Sequence, residues 1–131
     1  MRVGIVGSRS YQDQEAVFDY VRGLPQGTVI VSGGCAGVDT WAADAAKLHG
    51  LAVCEHLPVL PPRNAAPWLF TRAYHARNLA IVADCNYLVA FTDTPNKGGT
   101  GFTIKAAKNA GRLVTVHSHI PKQGQPQGLL F

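Results

Sequence analysis

The stretch at residues 28–46, TVIVSGGCAGVDTWAADAA, constrains the fold more than any other part of the chain. It begins with four β-branched residues, a run typical of a strand that is buried on both faces. The loop Ser32-Gly33-Gly34 follows, and Gly37 permits a tight turn before alanine-rich residues at helical spacing. A strand, a glycine loop and a helix start gather backbone N–H groups around one concave spot, which favours an anion such as a phosphate. A tight turn without a ligand is the alternative explanation of these glycines.

The rest of the chain alternates apolar strands with amphipathic helices. Strands are predicted at residues 2–6, 28–31, 51–57, 87–91 and 113–117, and helices at residues 12–24, 38–48, 68–83 and 98–110. With right-handed crossovers, the order β1α1β2α2β3α3β4α4β5 predicts an α/β fold with a five-stranded, mostly parallel sheet between two helical layers. Four prolines in residues 58–67 exclude a helix or a sheet interior there, so we expect a loop over an edge of the sheet.

The composition agrees with one globular domain. The chain has 131 residues, of which 47% are hydrophobic and 15% are charged, and this balance argues against disorder. Residues 118–131 are rich in glycine, proline and glutamine, so we expect a domain over residues 1–117 and a C-terminal tail that is mobile or docks a partner. No apolar run reaches membrane-spanning length and no signal peptide is evident, so we expect a cytoplasmic protein that does not bind membranes.

The charge and the cysteine content limit the classes of ligand and partner that we expect. The three cysteines are an odd number without CxxC spacing, and the histidines show no metal-ligand spacing, so we expect reduced thiols, no metal and no cofactor. The net charge is +4, and residues 94–131 carry basic side chains without any acidic one. These are Lys97, Lys105, Lys108, Arg112 and Lys122. Such a bias admits a polyanionic partner without requiring one.

Three loops of small residues follow the first, second and fourth predicted strands. In a parallel sheet the carboxyl ends of the strands share one edge, where ligands bind near the topological switch point. We therefore expect these loops to converge on one ligand site. Their candidate ligand-binding residues are Gly7, Ser8, Arg9, Ser32, Gly33, Gly34, Gly37, Asp39, Gly98, Gly99, Thr100, Gly101 and Thr103.

The combination and order of these motifs resemble a known superfamily. The motifs are Gly7-Ser8-Arg9, SGGCAGVD at residues 32–39, Arg77-Asn78, Asp84 followed by YLVAF, and Gly98-Gly99-Thr100. Over residues 1–117 they resemble the SLOG superfamily of Rossmann-like domains, and within it the small stand-alone bacterial and phage proteins of the YspA/YpsA-related branch. The superfamily also contains DNA-processing protein A and the LOG phosphoribohydrolases. The resemblance implies a site for a nucleotide or a nucleotide-derived ligand.

The resemblance adds two ligand-binding candidates on the third predicted helix. It implies a phosphate-contacting or catalytic role for Arg77, and a guanidinium fork suits a phosphate. Asn78 adds an amide donor. For Asp39 two roles stay open, because a carboxylate in a first helical turn can stabilise the helix or bind a ribose hydroxyl. His75 is expected on the surface.

One position departs from the phosphoribohydrolases, whose last motif reads PGGxGTxxE. In this chain the proline is absent and Lys105 stands where the resemblance would place the catalytic glutamate. A lysine cannot act there as a carboxylate base or stabilise an oxocarbenium-like centre, which argues against that hydrolysis. No catalytic residue is therefore assigned, and whether the chain is an enzyme stays open.

Three functions remain in competition. The first is a protein that binds a nucleotide-derived small molecule, as a sensor or a sequestering domain. The second is an N-glycosidic hydrolase of nucleotide monophosphates, with Asp39 or Asp84 in place of the missing glutamate. The third is a single-stranded DNA-binding module, supported by Lys105, Lys108 and Arg112 at i, i+3 and i+7 of one helix. We also expect a homo-oligomer.

Overall fold

A computed structural model describes residues 1–119 of the chain, and its elements are numbered here in chain order. The strands are β1 (Arg2–Gly7), β2 (Val29–Ser32), β3 (Ala52–Glu55), β4 (Tyr87–Phe91) and β5 (Leu113–His117). The helices are α1 (Gln14–Arg22), α2 (Val38–Leu48), α3 (Pro67–Asp84) and α4 (Gly98–Asn109). The predicted alternation is confirmed, and each boundary lies within two residues of its expected position.

The five strands form one sheet in the order β3-β2-β1-β4-β5. All four neighbouring pairs are parallel, so the sheet is wholly parallel rather than mostly parallel. From β1 the chain builds the sheet outwards through β2 and β3, and then crosses to the other side of β1 to form β4 and β5. The order therefore reverses between β1 and β4, which remain paired to their last residues, Gly7 and Phe91. In such folds ligands bind outside the carboxyl ends of the strands at this switch point.

Helices cover both faces of the sheet, as expected of a three-layer Rossmann-like fold. On one face α1 and α2 pack through side chains that include Val17 and Ala42. On the other face α3 and α4 pack through side chains that include Ile81 and Ile104. Central strand residues supply both cores. In β1, for example, Ile5 belongs to the first core and Val6 to the second. Each fully buried side chain of this size contributes about 1.5 to 3 kcal/mol.

The end of β1 requires a glycine because α2 begins directly against it. A Cβ atom at Gly7 would lie 2.4 Å from a methyl carbon of Val38, the first residue of α2. No side chain fits at that separation, so Gly7 allows the close approach of the helix. This contact brings the start of α2 beside the carboxyl edge of the sheet.

The proline-rich segment after β3 has no regular secondary structure, as the sequence predicted. It leaves Leu57 and Val59 exposed, and Trp68 is exposed at the start of α3. Among the helices of residues 1–119, none has the length and apolar character needed to cross a membrane. Ser118 and His119 bond to the segment that follows β4. The rest of the expected tail, residues 120–131, lies outside the described residues.

Candidate functional site

A cleft of about 680 Å³ opens at the carboxyl edge of the sheet, beside the switch point between β1 and β4. Its volume lies within the range of small-molecule binding sites. Ten of the fifteen candidate ligand-binding residues line it, namely Gly7, Ser8, Arg9, Asp39, Arg77, Asn78, Gly98, Gly99, Thr100 and Thr103. The other five, Ser32, Gly33, Gly34, Gly37 and Gly101, are not part of its wall. The three predicted loops therefore do meet at one edge.

The first turn of α4 forms one wall of the cleft. Lys97 precedes the helix in an extended conformation, and no side chain caps the helix. The first backbone bond runs from the Gly101 N–H to the Lys97 carbonyl at 2.9 Å. The N–H groups of residues 98–100 come before that bond and have no acceptor within the helix. Because Gly98 and Gly99 carry no side chains and are exposed, these N–H groups are accessible to an anion.

The loop between β2 and α2 uses its N–H groups differently. The Asp39 Oδ2 atom accepts hydrogen bonds from the N–H of Gly33 at 3.2 Å and of Cys35 at 3.1 Å. Burial raises the pKa of Asp39, and these two donors together with the charge of Arg77 oppose that rise. The carboxylate therefore closes the loop that the sequence suggested for a phosphate. It does not cap α2, whose first turn has no side-chain cap.

Arg77 braces α3 against the same loop. Its Nη1 donates to the Gly33 carbonyl at 2.7 Å, and its Nε donates to Asn78 Oδ1 at 2.8 Å. A Cβ atom at Gly33 would lie only 2.4 Å from Arg77 Nη1, so the glycine makes room for the guanidinium. The guanidinium carbon also lies 5.7 Å from the ring centroid of Tyr74. Arg77 is thus a half-buried residue of the cleft wall, and not a solvated helix residue.

Hydrogen bonds between β1 and β4 continue past the ends of the two strands, beside the cleft. The Ser8 N–H donates to the Phe91 carbonyl at 3.2 Å, and the hydroxyl groups of Ser8 and Thr92 bond to each other. Arg9, the next residue, is exposed at the mouth of the cleft. On the opposite wall, the Thr103 hydroxyl donates to the Gly99 carbonyl at 2.8 Å. Thr103 is buried, and its hydroxyl is engaged within α4.

Several wall residues were not predicted from the sequence. They are Val6, Cys35, Ala36, Thr71, Tyr74, His75, Ile81, Thr94, Lys97 and Phe102. His75 had been expected on the surface, but its ring stacks on Phe102 with centroids 3.8 Å apart and planes 4° from parallel. Thr71, His75 and Asn78 recur at helical spacing, so one face of α3 lines the cleft. This spacing relative to the candidate Asn78 is the sequence feature that could have identified Thr71 and His75.

Carboxylates are scarce at this site. Among residues 1–119, Asp39 is the carboxylate that lines the cleft. Asp84, the other suggested replacement for the missing glutamate, lies elsewhere, and hydrogen bonds from Arg2 and His56 lower its pKa to about 2. Lys105 is exposed on α4 and does not reach the cleft wall either. The geometry therefore gives no support to Asp84 as a substitute catalytic group in this cleft.

Comparison with known proteins gives a match in structure but not in sequence. No family model matches the chain, and no curated protein matches it. A solved structure of DNA processing protein A (DprA) from Streptococcus pneumoniae is similar to this chain, with a TM-score of 0.76 and 23% sequence identity. The match covers 94% of this chain and 52% of the DprA chain. The chain shares its fold with DNA processing protein A. It spans about half of that protein's length.

Two further solved structures have the same general architecture. TM1055 is 20% identical with a TM-score of 0.65, and the match covers 86% of this chain and 71% of that one. The C-terminal domain of PF1911 hydrogenase from Pyrococcus furiosus is 11% identical with a TM-score of 0.51, over 88% of this chain and 90% of that one. At the level of the fold, the likeness to DNA processing protein A confirms the resemblance that the sequence motifs indicated.

Proposed function

We propose that the chain binds a phosphate-bearing nucleotide or nucleotide derivative in this cleft, as a sensor or a sequestering domain. The uncapped first turn of α4 in the cleft wall carries the proposal. Backbone N–H groups at a helix start, together with the helix dipole, bind phosphates well. Lys97 and Arg9 add exposed positive charge beside that turn. The phosphate therefore lies against Gly98, Gly99 and Thr100 rather than against the loop that Asp39 already occupies.

The remaining walls suit the rest of a nucleotide. Tyr74 and the stacked pair of His75 and Phe102 provide flat aromatic surface for a base. Asp39 offers a carboxylate, which is the group that accepts from ribose hydroxyls in dinucleotide-binding folds. A pocket with apolar walls and a few convergent polar groups is typical of a small-molecule site.

Binding of single-stranded DNA is the second candidate. It is favoured by the fold shared with a protein whose name refers to DNA processing, and by the exposed Lys105 and Lys108 of α4. Arg112 adds less to this basic surface than the two lysines do. Its Nε donates to the carbonyl of Val82 in α3 at 3.1 Å, so the side chain is held against that helix. The expected cytoplasmic location and homo-oligomer remain predictions, and we propose no reaction.

Calorimetry with AMP as the probe tests the phosphate site through Gly99→Asp. A side chain fits at this position, since a Cβ atom would meet only Asn78 Nδ2, at 3.6 Å. The added carboxylate repels a phosphate from the first turn of α4, so we expect AMP affinity to fall at least tenfold. The melting temperature is expected to hold or rise, because an acidic residue in a first helical turn is stabilising.

Gln14→Asp is the matched control. Gln14 is exposed in the first turn of α1, and it does not line the cleft. The control carries the same charge change, and we expect it to bind AMP as the unchanged chain does. Equal AMP affinity in Gly99→Asp and the unchanged chain would contradict the proposed phosphate site.

A further inference from the structure

A second cluster of reactive side chains lies outside the cleft, between β3 and the end of α3. Cys54 belongs to β3 and His56 follows that strand by one residue. The His56 N–H donates to the Ser32 carbonyl at 2.8 Å, so the strand geometry continues through this position. Residues two apart on a strand face the same side, and Asp84 at the end of α3 completes the group. None of the three lines the cleft.

The three side chains direct one potential ligand atom each at a common point. Cys54 Sγ lies 3.5 Å from Asp84 Oδ2 and 4.0 Å from His56 Nε2. His56 Nε2 and Asp84 Oδ2 are 2.8 Å apart. All three atoms fall within 4.8 Å of one another. The side chains of His56 and Asp84 are each 29% exposed, so the point can be reached from solvent.

We propose that Cys54, His56 and Asp84 form a binding site for a divalent transition-metal ion of the zinc type. Sulfur, imidazole nitrogen and carboxylate oxygen are the donors that Zn²⁺ and Co²⁺ accept in a tetrahedral site, with water in the fourth position. In such a site neighbouring ligand atoms are about 3.3 to 3.6 Å apart. The distances between the three ligand atoms in this cluster come within that range when the side chains shift by about half an ångström. Binding releases the thiol proton of Cys54 to solvent, and the imidazole of His56 carries its proton on Nδ1, so that Nε2 is free to coordinate the metal.

Arg2 stands next to the site and has to be accommodated. Its Nε donates to Asp84 Oδ1 at 3.0 Å, and its Nη2 donates to Asp84 Oδ2 at 2.9 Å. A metal at Oδ2 replaces the second bond and leaves the first, which then orients the carboxylate as outer hydrogen bonds do in metal sites. Arg2 also offsets the negative charge of the thiolate and the carboxylate. We therefore place Arg2 outside the ligand set, as a positioning residue for Asp84.

Cobalt spectroscopy on the full chain under reducing conditions tests the proposal. We expect one equivalent of Co²⁺ to produce a thiolate-to-cobalt charge-transfer band in the near ultraviolet, together with the visible bands of a four-coordinate ion. Zn²⁺ is expected to remove both by displacement. Cys54→Ser is expected to abolish the charge-transfer band, and His56→Gln to weaken Co²⁺ binding at least tenfold.

Cys35→Ser is the matched control, since Cys35 is the other partly exposed thiol and lies in the cleft wall. We expect it to retain the bands. Alkylation of the unchanged chain gives a readout that needs no variant, because Zn²⁺ should protect Cys54 from iodoacetamide and leave Cys35 reactive. No charge-transfer band, a band that survives Cys54→Ser, or equal alkylation of Cys54 with and without Zn²⁺ would overturn the proposal.

Discussion

Arg77 shows how one residue can serve both the fold and the proposed site. Its guanidinium bonds to the Gly33 carbonyl and to Asn78, and by these contacts α3 holds the loop after β2 in place. The same side chain lines the cleft and brings positive charge to its wall. A loss of ligand affinity in an Arg77 variant would therefore not distinguish a direct contact with the ligand from a role in the stability of the fold.

A pair of arginine variants on α3 distinguishes these contributions. Arg77→Ala leaves the Gly33 carbonyl without its donor, so we expect the free energy of unfolding to fall by about 1 to 3 kcal/mol. Arg72→Ala is the control, because Arg72 is exposed on the same helix and outside the cleft. We expect its effect to stay within about 0.5 kcal/mol. Urea unfolding measures both, and equal stability of the two variants would contradict the bracing role.

Some contacts of single residues could not be predicted from the sequence. The glycine pattern identified the loop at residues 32–39, but no local pattern indicates that Asp39 would take the N–H groups of Gly33 and Cys35. The cluster of Cys54, His56 and Asp84 was missed for a related reason. Asp84 lies 28 residues after His56, and only the tertiary fold brings their side chains together.

At the scale of elements, α4 presents two different surfaces. Its first turn lines the cleft, whereas Lys105 and Lys108 are exposed outside it. The existence and bounds of this helix followed from its sequence, as they did for the other elements, because apolar periodicity and capping residues are local properties. Which residues of α3 face α4 depends on tertiary packing, and so Tyr74 and Phe102 were not predicted as wall residues.

The double variant Lys105→Ser, Lys108→Ser tests whether the two surfaces act independently. We expect AMP binding to be unchanged, because neither side chain reaches the cleft. Any binding of single-stranded DNA is expected to be weak, to fall steeply with salt at a log–log slope of about −0.7 per phosphate neutralised, and to decrease in the double variant. Fluorescence anisotropy over a salt series measures this. Tight, length-dependent DNA binding at physiological salt would favour the DNA-binding function instead.

The whole molecule explains why distant motifs meet. The sequence predicted a parallel sheet and three loops at one edge, and the strand order β3-β2-β1-β4-β5 then puts the switch point between β1 and β4. The order itself was not predicted, because it depends on which side of β1 the chain returns after β3. The cleft opens at that switch point, where ligands bind in folds of this class.

In the proposed function, a nucleotide phosphate binds at the first turn of α4. An amide nitrogen–proton NMR titration of the full chain with AMP tests this position of the phosphate, since each backbone N–H reports its own surroundings. We predict saturable shifts that are largest at Gly98, Gly99 and Thr100, with smaller shifts at Ser8 and Arg9. Shifts confined to Lys105 and Lys108, or largest at Gly33 and Gly34, would show that the phosphate does not bind at the first turn of α4.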